Sequence, residues 1–327
     1  KALSQSHPLH VCMEEVCHRV DLLQPSHRKH AKPPEALKSL RGDPAKVAVP
    51  LSITSTGNPP GVSEAEVLFF VHGWPDDATV WQKQVEYFKD KYNCCRVTMP
   101  FYGGRDSSFS LGHRVEGYDF YELADILAEN IRSKYSEPVL LVAHDWGCIW
   151  GFLLQARHPG LVKKIIALDV GQPSCVTSRV KVLLALFTYQ FWPLAALFLL
   201  RVTARVPFLR SVGQAMADAM MRLVVRFFGQ GSQTITAEAC FPYFHYVKNL
   251  GFPDTPKVAS GRLLPSCPCL FMYGRRKPYM FHSKAWEIHL QSREDCKVVK
   301  MNAGHWLQVE KASEVNAAIE NWLEPSH

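Results

Sequence analysis

A doubly wound α/β fold with an inserted all-helical segment is the architecture this sequence predicts, and three observations predict it. Short runs made almost wholly of Val, Leu, Ile and Phe recur along the chain, most of them followed by a stretch with helical spacing. That alternation gives a mostly parallel sheet covered on both faces. One run, Val139 to Val142, leads into Ala143-His144-Asp145-Trp146-Gly147. This small-x-Asp-x-small pattern marks a tight strand-to-helix turn whose central residue is pushed out over the sheet. Between Gln172 and Pro256 the alternation stops and only helical patterns, rich in aromatics, remain.

Taken in order, residues 1–45 are rich in His, Ser, Pro, Lys and Arg without a sustained period. They read as an N-terminal extension, and 46–327 as the folded domain with a helical cap inserted at about 172–256. A first strand is expected within Val47 to Thr54, at a sheet edge because Pro50 interrupts it. Val67 to Val71 is a buried strand ending at His72-Gly73-Trp74-Pro75, and a helix is expected from about Ala78, with Val80, Trp81, Val85 and Phe88 on one side. Cys94 to Met99 is the third strand, and the helix from Phe120 to Lys134 leads to the Val139 strand. The helix after it, Cys148 to His158, stops at Pro159-Gly160. Ile165 to Leu168 is a further strand, ending at Asp169. After the helical segment the alternation resumes with Pro268 to Gly274, a helix near His282 to Gln291, the strand Lys297 to Met301, the turn Asn302 to Trp306, and a last amphipathic helix to Leu323.

Composition excludes several classes. The chain has 327 residues, 47% of them hydrophobic, enough for a substantial core. Its net charge of +7 comes without a basic run dense enough for nucleic acid, the densest being Arg275-Arg276-Lys277. The ten cysteines are irregularly spaced and lack the paired spacing of a zinc site. They read as reduced, buried residues of a cytoplasmic protein. No signal-peptide pattern is present; because the sequence starts at Lys1 without Met, an earlier targeting segment stays open. Val182 to Leu200 carries no charge. Gln190 and Pro193 in its interior argue against a spanning helix, and the stretch is a candidate for contact with a membrane surface.

Ligands of a doubly wound sheet gather outside the carboxyl ends of its strands. His72, Tyr102, Asp145 and Asp169 all fall there. Asp145 at the centre of the turn is either a nucleophile or a helix N-cap. The residue after a nucleophile so placed offers its N–H to an oxyanion. A carboxylate nucleophile forms an ester with a carbon centre, which must then be hydrolysed.

With His72-Gly73-Trp74-Pro75, His144-Asp145-Trp146-Gly147 and Gly304-His305-Trp306 in this order, each after an expected strand, the sequence resembles the α/β-hydrolase superfamily, in its epoxide hydrolase branch. The resemblance covers roughly 46–323 and implies the α/β-hydrolase fold. It implies Asp145 as nucleophile, His305 as base, and backbone N–H groups of Trp74 and Trp146 as the oxyanion site. It also implies two cap tyrosines that protonate the opening ring, for which Tyr189 and Tyr246 are the matches. No metal or organic cofactor is implied. A small apolar epoxide would be the substrate and a vicinal diol the product.

The sequence departs from the family at the acid. The loop after Tyr273-Gly274, where the triad acid often lies, reads Arg275-Arg276-Lys277-Pro278. A cation there cannot orient an imidazolium. Related haloalkane dehalogenases place the acid after the strand that follows the helix leading from the nucleophile turn (the elbow helix, Cys148 to His158 here); that position is Asp169, with Asp295 as the fallback. Two alternatives stand beside epoxide opening: haloalkane dehalogenation, and a catalytically impaired member that binds apolar ligands. The oligomeric state and the physiological substrate are not legible.

Overall fold

Among the described residues seven strands form one sheet, in the order β1-β3-β2-β4-β5-β6-β7. The computed structural model describes residues 49–57, 65–103, 116–171, 190–228, 235–251, 264–277 and 280–324. Residues 47–327 form one compact unit. The strands are β1 (Ser52–Thr56), β2 (Val67–Val71), β3 (Asn93–Thr98), β4 (Val139–His144), β5 (Val162–Leu168), β6 (Cys269–Gly274) and β7 (Lys297–Met301). Only the β1–β3 pair is antiparallel; the other neighbours run parallel.

Strand residues divide by parity, as the pleat requires. Phe69, Val71, Leu141, Ala143, Ile165, Ala167 and Phe271 enter one core, and Leu68, Phe70, Leu140, Val142, Ile166, Leu168 and Leu270 enter the other. Both faces are thus apolar, which is why these strands read as unbroken hydrophobic runs. On the first face lie α2 (Phe120–Arg132) and α3 (Trp146–Arg157), through residues such as Leu123, Leu127, Trp150 and Leu153. On the second lie α1 (Gln82–Phe88) and the final helix, through Val85, Phe88, Val315 and Ile319.

Three expectations shift. The first strand is Ser52–Thr56 and not 47–54: it is an edge strand, as expected, but its partly polar residues pair with β3 and leave Pro50 outside. The helix expected from Ala78 opens as a 3-10 turn over Ala78–Trp81, because Asp77 accepts the Thr79 N–H and tightens that end. The elbow helix starts at Trp146, two residues earlier than its apolar pattern indicated. The expected extension 1–45 lies outside the described residues.

Between β5 and β6 the described residues hold only helices: α4 (Phe191–Ala204), α5 (Pro207–Phe228), a 3-10 turn Ala237–Cys240, and α6 (Phe241–Gly251). After β6 come α7 (Lys284–Gln291), α8 (Leu307–Glu310) and α9 (Ala312–Leu323). No helix among the described residues is long and apolar enough to cross a membrane.

Strand order positions the site. The chain passes from β2 to β3 on one side and then to β4 on the other, so the loops after β2 and β4 diverge and open a crevice at their carboxyl ends. Gly73-Trp74 and Asp145 face each other across it.

Candidate active site

Asp145 follows β4 with φ 55° and ψ −127°, a strained backbone for a residue with a side chain. Such a conformation costs on the order of 1–3 kcal/mol and persists only where the surroundings enforce it. Two glycines do so here. A Cβ on Gly147 would stand 2.5 Å from the Val71 carbonyl oxygen, and one on Gly73 would collide with the Asp145 carboxylate. The small residues around the turn are therefore steric requirements of its close approach to β2. The N-cap alternative fails, because the Asp145 side chain makes no capping hydrogen bond to the second or third residue of α3. Instead Oδ2 accepts the backbone N–H of Trp74 at 2.8 Å, and the Trp146 N–H also bonds to the carboxylate.

His305 joins the two rim carboxylates. Its Nδ1–H donates to Asp169 Oδ2 at 2.5 Å, and its Nε2 lies 3.6 Å from Asp145 Oδ1. Asp145 and His305 each keep 16% of the side chain exposed, whereas Asp169 is fully buried. The first two can meet a ligand and water; the third reaches the site only through the imidazole. Asp169 also has positive φ, 71°. Its Oδ1 accepts the Gly274 N–H at 3.0 Å and the Lys277 ammonium. Lys277, a cation unsuited to orient an imidazolium directly, thus helps hold the carboxylate plane that turns Oδ2 toward His305. Asp295 is removed as fallback: it is paired with Arg293 at 2.7 Å and is exposed.

These contacts set the charges. Burial raises the Asp145 carboxyl above its ordinary value, opposed by the His305 charge and the two backbone N–H groups. Burial also pushes Asp169 up, but the His305 hydrogen bond and charge and the Lys277 ammonium outweigh it, leaving Asp169 below the carboxylate range. Burial lowers His305, yet its bond to Asp169 and the two carboxylate charges raise it overall, against an opposing Lys277. The rim thus holds an ionised Asp169 facing a basic imidazole.

His72 is structural. Its Nε2 accepts the Met99 N–H at 3.0 Å while Nδ1–H donates to the Gly73 carbonyl at 2.9 Å, and burial lowers it to about 4. It stays neutral and ties the ends of β2 and β3 together. Tyr102 is packed in the core against His72 and Trp150.

Tyr246 on α6 packs its ring 5.8 Å from that of Trp146. Tyr189 lies outside the described residues. Two residues escaped the sequence reading. Tyr243 stands one helical turn before Tyr246 and packs edge-on against both Trp74, at 5.2 Å, and Trp146, at 5.5 Å; that i, i+3 spacing was the available signal. Asp76, directly after Trp74-Pro75, is buried; it accepts the Trp306 indole N–H at 2.9 Å and lies 3.8 Å from His144 Nδ1. Burial raises it to about 7. Among the described residues no cluster could hold a metal ion, and the seven cysteines are free, five of them buried.

Comparison with known proteins bears on the family and the fold. Residues 68–318 match the alpha/beta hydrolase family. Epoxide hydrolase 2 of Caenorhabditis elegans is 25% identical over 289 residues, which span 80% of this chain and 75% of that protein. Among solved structures, an epoxide hydrolase of Bacillus megaterium bound to an inhibitor superposes with a TM-score of 0.58 at 19% identity, over 84% of this chain and 96% of that one. A haloalkane dehalogenase loop variant from Bradyrhizobium elkanii gives 0.57, also at 19%, over 85% and 94%. At these identities the two structures show the shared fold.

Proposed function

The chain belongs to the alpha/beta hydrolase family, and from that premise we propose that it hydrolyses small apolar epoxides to vicinal diols through an ester on Asp145. The observation that carries this reading is the line Asp145–His305–Asp169, with the Trp74 N–H on the Asp145 carboxylate. Asp145 Oδ1 attacks an epoxide carbon, the ring C–O bond breaks, and the ring oxygen takes a proton from a tyrosine of the helical segment. Tyr246 and Tyr189 are assigned that role, and Tyr243 borders the same indoles. His305 Nε2 then takes a proton from water, and the hydroxide adds to the carboxyl carbon of the ester. The Trp74 and Trp146 N–H groups hold the oxyanion, at about 3 kcal/mol per donor. Collapse releases the diol, its alkoxide taking the proton held by His305; Asp145 is left as a carboxylic acid, and its proton passes through solvent to the tyrosinate, restoring both groups.

Ester formation also readies the base. The Asp145 charge is one of those that raise His305. Alkylation cancels it, so the imidazole becomes more available as a neutral base in the step that needs one.

The dehalogenase reading uses the same nucleophile and base, but a departing halide needs no proton. Tyrosines packed beside Trp146 therefore favour the epoxide reading. The test is to incubate the His305→Gln variant with styrene oxide and other reactive epoxides and measure intact mass. A single adduct mapped to Asp145 is expected. No adduct, or one mapped elsewhere, sinks the assignment. Turnover of 1-haloalkanes without turnover of epoxides moves the chain to the dehalogenase class.

A further inference from the structure

The hairpin of α4 and α5 presents an apolar face that the core and the candidate site leave unused. α4 turns Ala196, Leu197 and Leu200 into the core below the first sheet face, and α5 turns Ala217, Met221 and Val224 into the same core. The two helices pack side by side, with Gly213 against Thr203. Their opposite faces therefore both point away from that core. On α4 this face carries Phe191, Phe198 and Val202; on α5 it carries Phe208, Val212, Met216 and Leu223. Both series keep the spacing of a single helical stripe. Phe208 is 78% exposed, Phe198 69% and Leu223 68%. Nine of the twelve large exposed hydrophobic side chains among the described residues lie on this hairpin. Scattered exposed apolar residues are ordinary; a concentration of this kind marks an interaction surface.

The surrounding charge has one sign. Arg205, Arg210, Arg222 and Arg226 are exposed on the hairpin. Its single acidic residue, Asp218, is buried and accepts the Ala237 N–H at 2.9 Å. We propose that this face docks on an anionic lipid bilayer, with its aromatic and aliphatic tips at the headgroup boundary and its arginines against lipid phosphates and carboxylates. A second copy of the chain fits less well. A two-fold contact through this face would set arginine against arginine with no exposed acid on the hairpin to pair them. The face includes residues 191–200 of the uncharged stretch 182–200, whose first eight residues lie outside those described. The contact is one of surface docking, since no described helix can span. It rests on the hairpin alone and is independent of the reaction.

The test is flotation of the full chain with vesicles of phosphatidylcholine, with and without phosphatidylserine. Binding is expected to the serine-containing vesicles and to fall with added salt. An Arg222→Gln, Arg226→Gln double variant should bind at least about tenfold more weakly. A Phe198→Ser, Phe208→Ser double variant should lose binding to a similar extent, and Ile288→Ser, an exposed site on α7, should not. Circular dichroism melts establish that each variant is folded. Absence of flotation, equal binding to neutral vesicles, or binding that survives both double variants overturns the proposal. So does a dimer in sedimentation velocity that the Phe198→Ser, Phe208→Ser variant dissociates.

Discussion

The ends of β4 and β5 make an instructive pair. They are neighbouring parallel strands, and each is followed by an aspartate at positive φ, Asp145 at 55° and Asp169 at 71°. Burial drives both carboxyls upward, yet the two end on opposite sides of the ordinary value. Asp145 meets backbone N–H dipoles and a partly exposed imidazole, whereas Asp169 meets the same imidazole at 2.5 Å together with a Lys277 ammonium. One residue type at equivalent strand ends therefore receives two roles from its neighbours, the more exposed one suited to react and the enclosed one to orient.

The largest effect that tests this contrast is at Asp169. Asp169→Asn should leave alkylation of Asp145 nearly intact and slow hydrolysis of the ester by about 10⁴-fold, by analogy with other triad acids. Rapid-quench intact mass should show ester accumulating in the variant and not in the parent. Normal turnover by Asp169→Asn would mean that the 2.5 Å contact does not orient the base.

A smaller effect is expected at Lys277. Its charge lowers both Asp169 and His305. The imidazole of His305 faces Asp145, Asp169, His144 and Lys277. Lys277→Met removes the sole cation of that set, so His305 should hold its proton to higher pH. A base must be neutral to act, so the acidic limb of the kcat profile should move to higher pH, with the plateau reduced by less than about tenfold. Lys277→Arg should restore the parent profile. An unmoved limb in Lys277→Met would make the ion pair a packing feature only.

Legibility followed burial. β2, buried at four of its five positions, lies where its apolar run placed it, and the turn at Asp145 is readable because its steric demand writes itself as Ala143 and Gly147. β1 was displaced because an edge strand carries its pairing in backbone groups that any side chain can accompany. Asp169 was singled out by position, but its contact joins residues 136 apart in sequence, and no local pattern encodes such a distance. Lys277 was misjudged for the same reason: a cation is unsuited to touch the imidazole, and the fold sets it on the far oxygen of the acid. Asp76 went unnoticed because a polar residue after a Trp-Pro turn looks like a solvated loop residue, whereas Trp306 and His144 enclose it.

Asp76 extends the comparison to a third carboxyl on the rim, and there the smallest change is expected. It has neither a pair of backbone N–H groups nor an ammonium beside it; the Trp306 indole N–H and the His305 charge lower it, but burial outweighs them and leaves it at about 7. Its neighbour His144 donates Nε2–H to the His305 carbonyl at 3.0 Å and is held neutral, pushed down to about 3 by burial. Below pH 7 the pair is uncharged, so Asp76→Asn should alter turnover there by no more than a few-fold. Stability is the clearer reading. The folded carboxyl takes up its proton near 7 and the unfolded one near 3.8. Between those values the native state binds more protons than the unfolded state, so the parent loses stability as pH rises from about 4 to about 7 and then levels off. At roughly 1.4 kcal/mol per pKa unit the full loss is on the order of a few kcal/mol. The amide introduced by Asp76→Asn cannot titrate, so the variant's melting temperature should gain on the parent's steadily as pH rises through this window toward about 7. Parallel melting curves across that range would mean that Asp76 is ionised in the fold despite its enclosure. The three carboxyls would then divide into two kinds of environment, with Asp76 joining Asp169.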